Sequence, residues 1–161
     1  MSATPKQNIE DTQDEASELL NFVTYKISRV HPKLNAQAAY ILRKQAGLNL
    51  LQWRLIALLK VMGPTISSVD LINMLHMDKG LFSRTLKTLV AEGFVVSLVD
   101  DTDRRRSHLS ITKKGQQVYE KVIAVMRKRQ AHLLHDFTDA EKSALFQALD
   151  KLEANAQRRD F

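Results

Sequence analysis

Two short runs rich in strand-forming residues, Phe94 to Val99 and Ser107 to Ile111, flank the segment Asp100-Asp101-Thr102-Asp103-Arg104-Arg105-Arg106. Such runs, joined by a short charged segment, fold as a hairpin. Three consecutive arginines at its tip have no core to serve. A guanidinium fork suits phosphates and the narrow, negative minor groove of duplex DNA. Just upstream, Asp78-Lys79-Gly80-Leu81-Phe82-Ser83-Arg84-Thr85-Leu86-Lys87 reads as a helix capped by Asp78 and stopped at Gly93. Phe82, Leu86, Leu89 and Val90 fall on its inner face, and Gly80, Ser83, Arg84 and Lys87 on the other. Helix, hairpin and basic tip in this order predict a winged helix-turn-helix that meets duplex DNA.

Helical periodicity dominates elsewhere, so the fold class is mainly α. Residues 1–13 are polar and without apolar period, and are expected to be a disordered tail. Leu19, Leu20, Val23, Ile27 and Val30 recur at three- and four-residue steps, and His31-Pro32 predicts a break or a kink before the helix resumes and ends near Gly47. Asn49 to Met62 reads as a helix with Leu51, Leu55, Leu58 and Leu59 inward and Gly63-Pro64 as its stop. Ser67 and Asp70 have capping-box spacing ahead of a short helix. A long helix from Thr112 to about His135 follows the hairpin, and Thr138 or Asp139 caps a last one bearing Leu145, Leu149 and Leu152. Residues 48–111 are thus the expected winged helix-turn-helix domain. Residues 14–46 and 112–156 supply long amphipathic helices at both ends of a small core, which pairing with a second copy explains most simply.

The chain has 161 residues and a net charge of +6, which favours an anionic partner. Aromatic residues make up only 6%, too few for a platform that stacks exposed bases. No stretch approaches the roughly 18 apolar residues of a membrane span, and no apolar signal segment opens the chain, so a cytoplasmic, nucleoid-associated protein is expected. Cysteine is absent, which removes disulfides, thiolate metal sites and thiol redox sensing. His132 and His135, with Asp136 adjacent, have a spacing seen in metal sites, but one spacing assigns none; no metal and no cofactor is expected. Nucleophile elbow, Cys–His pair and phosphate-cradling glycine loop are all missing, so an enzyme is not expected.

Three segments in order resemble the MarR family of transcriptional regulators, over about Glu15 to Leu152. They are Leu50-Leu51-Gln52-Trp53-Arg54-Leu55, then Asp78-Lys79-Gly80-Leu81-Phe82-Ser83-Arg84 with Leu89-Val90-Ala91-Glu92-Gly93-Phe94-Val95, then Asp103-Arg104-Arg105-Arg106 with Leu109-Ser110-Ile111-Thr112-Lys113-Lys114-Gly115. Many members carry Ser or Thr where this chain has Gly80 and Leu81, so the family's base contacts do not transfer to those two positions. Leu81 is left to a thymine methyl or to the core.

On the helix, Arg84 is placed to reach a guanine edge or a phosphate and Lys87 a phosphate. Ser83 is small enough for close approach to a base edge, or donates to phosphate. Lys79 sits in the first turn, where the helix dipole disfavours a cation, and a bound phosphate would offset that misfit. In the wing, the resemblance implies that Asp103 orients Arg105 toward the minor groove while Arg104 and Arg106 take flanking phosphates. It further implies a homodimer on a pseudo-palindromic operator, most simply a repressor, with an effector cleft between helical arm and winged domain. Tyr25, His31, Tyr40, Trp53 and Arg54 are the residues placed to line such a cleft, which would take an aryl carboxylate, its thioester or another amphipathic anion; core packing is the competing role for Trp53. A constitutive or architectural DNA-binding protein without an inducer is the alternative.

Overall fold

The computed structural model describes residues 17–63, 66–99 and 107–158. The expected tail at 1–13 and the wing tip at 100–106 lie outside them. After helical residues 17–21, the described elements follow in the order α1 (Val23–Ala46), α2 (Leu50–Met62), α3 (Ser68–Leu75), α4 (Lys79–Ala91), β1 (Val95–Val99), β2 (Ser107–Ile111), α5 (Lys113–Leu133) and α6 (Asp139–Ala156). The chain divides into two compact units, one ending at Tyr119 and the other beginning at Glu120.

In the first unit α2 is central, packing on α1, α3, α4 and β2. Asn49 lies outside this helix as its cap: its side chain accepts from the Gln52 N–H at 2.9 Å, and its own N–H donates to Gln52 Oε1 at 2.8 Å. This reciprocal pairing satisfies two amides that a helix start leaves open. Leu55 and Leu59 are fully buried as expected, but Ile56 joins them, while Leu51 and Leu58 are only half-buried. An all-leucine reading chose the wrong phase by one position, because Gln52, Leu55, Ile56 and Leu59 form the i, i+3, i+4, i+7 stripe. Leu42, Leu48, Leu71, Leu89 and Leu109 complete the core.

Of the break or kink expected at His31-Pro32, the break does not occur. Helix α1 runs unbroken through Pro32 for 24 residues. Proline removes one amide donor, leaving the Ser28 carbonyl without its helical partner, but Ser28 lies on an exposed stretch where solvent can serve it. The interruption falls instead at Phe22, whose ψ of 132° separates α1 from helical residues 17–21. Gly47, at φ 67°, closes α1 in the left-handed conformation that glycine adopts without strain.

In the second unit, Thr138 caps α6 by accepting from the Glu141 N–H, and the Glu141 carboxylate accepts from the Thr138 N–H and hydroxyl, each at 2.8 Å. The backbone hydrogen bond first, then the hydroxyl, hold the Glu141 carboxyl below the ordinary value of 4.5. A depressed carboxyl pKa adds stability that is fully present above the unfolded value and is lost as pH falls through the folded one. Glu141→Gln should therefore melt below the parent at neutral pH, and the difference should vanish under acid conditions below the ordinary carboxyl range. A gap that persists unchanged into acid, followed by circular dichroism, would exclude the capping carboxylate as its source.

Candidate nucleic-acid interface

Helices α3 and α4 are joined by the turn His76-Met77-Asp78. Ser67 caps α3 by accepting from the Asp70 N–H at 3.1 Å, and its hydroxyl donates to Asp70 Oδ2 at 2.6 Å. His76 ends α3 at φ 47°, a left-handed conformation in a residue that carries a side chain. Asp78 then caps α4, its Oδ1 accepting from the Leu81 N–H at 3.0 Å. A left-handed residue followed two positions later by a cap reverses the chain within three residues, which makes the helix-turn-helix angle a local property of the sequence.

The burial pattern of α4 divides its faces cleanly. Phe82, Thr85 and Leu89 are buried, with Leu86 half-buried. Lys79, Gly80, Ser83, Arg84 and Lys87 are all exposed. Two expectations for the inner face need correction. Val90 is 40% exposed, and Thr85 takes an inner position, its hydroxyl donating to the Leu81 carbonyl at 2.9 Å. That bond satisfies the hydroxyl within the helix, which is how a threonine is tolerated there. Leu81, left open between core and surface, is 36% exposed and outside the core.

The strands pair antiparallel from Val95 with Ile111 to Val99 with Ser107, so the wing is a hairpin as expected. Val95 and Leu109 are buried, while Val96 and Ser97 are exposed. Ser67 adds an isolated antiparallel bridge to His108, which ties the start of α3 to the base of the wing. Asp103, Arg104, Arg105 and Arg106 lie outside the described residues, between the paired ends Val99 and Ser107.

One junction fixes α4, the wing and the start of α5 together. Gly93 turns the chain at φ 74°, and the Phe94 N–H donates back to the Leu89 carbonyl at 2.9 Å. The Phe94 carbonyl accepts from the Thr112 N–H at 3.0 Å, and the Thr112 hydroxyl donates to the Gly93 carbonyl at 2.7 Å while accepting from the Gly115 N–H at 3.0 Å. Lys114 donates to the Glu92 carbonyl at 2.7 Å with its ammonium 4.7 Å from the centre of the Phe94 ring. Sequence reasoning gave Thr112 and Lys114 no such role. Their partners stand 18 to 22 positions away, beyond the reach of any periodicity.

The five residues expected at an effector cleft are in different settings. Tyr25, His31 and Tyr40 are exposed on α1, each facing a neighbour four residues on: Arg29 and Lys44 over the two tyrosine rings at 5.9 Å, and Asn35 Nδ2 at 3.0 Å from His31 Nε2. Trp53 is 7% exposed and stacks on Tyr119 with ring centres 5.6 Å apart. Arg54, its neighbour on α2, is exposed. Among the described residues no group of three His, Asp or Glu side chains could hold a metal ion, and no helix is long and apolar enough to cross a membrane.

A short turn between two helices, an exposed cationic face on the second and a hairpin behind it define a winged helix-turn-helix DNA-binding protein. Residues 46–106 match the model of the MarR family. The chain is 29% identical over 115 residues to the uncharacterized HTH-type transcriptional regulator YwoH of Bacillus subtilis (strain 168), covering 67% of this chain and 82% of that one. It is 28% identical over 89 residues to the HTH-type transcriptional regulator BilQ of Clostridium symbiosum (strain WAL-14163), covering 55% of this chain and 62% of that relative's length. Among solved structures, a MarR/EmrR family transcriptional regulator from Acinetobacter sp. ADP1 superposes with a TM-score of 0.77 at 27% identity, over 84% of this chain and 95% of that one. The chain is similar to MarR family regulators, in sequence over residues 46–106 and in fold over most of its length. It is a DNA-binding transcriptional regulator.

Proposed function

We propose that the protein is a homodimeric repressor, acting in the cytoplasm on the nucleoid, that leaves its operator when a small aromatic or amphipathic anion binds. The observation that carries the DNA reading is the exposed face of α4, where Lys79, Ser83, Arg84 and Lys87 share one side of a helix held rigidly by its other side. Arg84 reads a base edge in the major groove, while Lys79, Ser83 and Lys87 hold phosphates. Asp103 orients Arg105 into the minor groove, and Arg104 and Arg106 neutralise phosphates beside it. Two such units on one two-fold axis require a pseudo-palindrome.

The dimer reading is supported by apolar side chains that one copy leaves uncovered. Val23, Ile27 and Val30 of α1 are 40–51% exposed, and Leu145, Phe146 and Leu149 of α6 are 36–48% exposed. Apolar surface of this extent on two separate helices is what a second copy would remove from water. The expected assembly therefore places residues 14–46 and 112–156 in a dimerisation domain and 48–111 in the DNA-binding domain. The effector reading rests on Arg54, an exposed cation beside the aromatic Trp53, with Tyr25, His31 and Tyr40 on α1; a buried carboxylate needs such a charge partner. The packing of Trp53 on Tyr119 favours a second reading, a constitutive DNA-binding protein with no inducer.

One set of measurements separates these readings. Sedimentation at micromolar concentration should give twice the monomer mass, and a duplex selected from a randomised library should show two half-sites about one helical turn apart. Aryl carboxylates or their thioesters should alter the emission of Trp53, the chain's single tryptophan, and release that duplex. A monomer at all concentrations overturns the dimer. Operator affinity indifferent to the whole panel selects the constitutive protein.

A further inference from the structure

Gly80 lies on the cationic face of α4 with no role in the reading above. Positions 80, 83, 84 and 87 recur at the three- and four-residue steps that share one side of a helix, so Gly80 is the N-terminal end of the stripe that continues through Ser83, Arg84 and Lys87. A β-carbon at Gly80 would lie 3.6 Å from Arg84 Nη1 and 3.1 Å from Asp78 Oδ1. The Arg84 side chain is therefore folded back one turn, in the direction helical side chains lean, and its guanidinium lies beside the bare backbone of Gly80. A β-carbon at position 80 would press on the carboxylate that caps α4 and only touch the guanidinium at ordinary contact distance, whereas any larger side chain would enter the space that the guanidinium occupies.

We propose that Gly80 is a specificity-determining residue: its missing side chain seats the Arg84 guanidinium at the first turn of α4 and so selects the base edge that the arginine reads. The inference rests on α4 being the recognition helix. A guanidinium reads guanine only when two of its nitrogens align with the O6 and N7 acceptors of that base. A small displacement loses that alignment while leaving the charge in place to meet phosphate, which carries no sequence information. Gly80 thus governs which sequence is chosen more than how tightly DNA is held.

The test uses the full chain as parent, Gly80→Ala, Gly80→Ser and Arg84→Ala, each selecting duplexes from a randomised library. Affinity for a mixed-sequence duplex and thermal melting are measured in parallel. The parent should prefer one base pair per half-site that Arg84→Ala no longer distinguishes. Gly80→Ser should lose or move that same preference, with discrimination falling on the order of tenfold, and Gly80→Ala should do so to a smaller extent. Their affinity for the mixed-sequence duplex should stay within about twofold, since the phosphate contacts are unchanged. Both should melt close to the parent, because the better helix propensity of alanine and serine offsets the pressure on the capping carboxylate. Gly80 variants that select the parent sequence with undiminished discrimination, while Arg84→Ala does not, overturn the proposal and leave α4 as the recognition helix. If Arg84→Ala also selects the parent sequence, the reading of α4 falls and the proposal with it. Loss of discrimination accompanied by early melting in both Gly80 variants overturns it too, since the role would then be structural.

Discussion

Replacing Gly115 with valine should lower the thermal midpoint by roughly 6–12 °C, the shift expected from about 3 kcal/mol of lost stability in a chain of this size. A β-carbon at Gly115 would fall on the Phe94 carbonyl oxygen and within 2.8 Å of Ile111 Cγ1. The oxygen cannot simply move aside, because it accepts from the Thr112 N–H and hydroxyl and belongs to the turn that starts the wing. Strain must then be shared between the junction and the first turn of α5. Gly47→Ala is the control: its β-carbon meets open space, so only the left-handed backbone opposes it, at roughly 1–2 kcal/mol. Calorimetry of the two variants should rank valine at 115 as the more damaging. A valine variant that melts with the parent would mean that Gly115 does not sit against Phe94.

The second large effect concerns binding. Arg84→Ala should weaken the preferred duplex by about 1–3 kcal/mol, whereas Lys87→Ala should weaken all sequences alike. Each removed phosphate contact should also lower the slope of log affinity against log salt by about one. Both side chains are exposed, so neither change should alter the melting temperature. Anisotropy titrations across a salt series read both quantities at once. Retention of parent affinity and slope by the double variant would remove α4 from the interface.

The division between what the sequence disclosed and what it concealed follows the range of the interactions. Asp78 and Ser67 were legible as caps, and the last cap was narrowed to Thr138 or Asp139, because a cap acts on an amide two or three residues away. The two faces of α4 and the hairpin were legible because periodicity carries them. Pro32 misled because its cost depends on whether the freed carbonyl meets solvent, a property of the surface and not of the local sequence. Ile56 was passed over because a helix with apolar residues on most sides has no single phase to read. The stacking of Trp53 on Tyr119 joins positions 66 apart, which only the folded chain brings together. For the candidate site, the α4 residues Lys79, Ser83, Arg84 and Lys87 were legible as one face, whereas the seat of Arg84 beside Gly80 required side-chain geometry.

The junction at Gly93, Phe94 and Thr112 also has a mechanical meaning. It sits at the C-terminal end of α4, while the groups proposed to meet DNA begin at Lys79, at the far end of a helix of 13 residues, an arm of about 20 Å at 1.5 Å per residue. A tilt of roughly 10° about that pivot would carry the first turn through about 3 Å, as far as the full length of a hydrogen bond. Four short bonds and one lysine over an aromatic ring thus act as a clamp on a long lever. A displacement too slight to disturb the core could decide whether Arg84 meets its base.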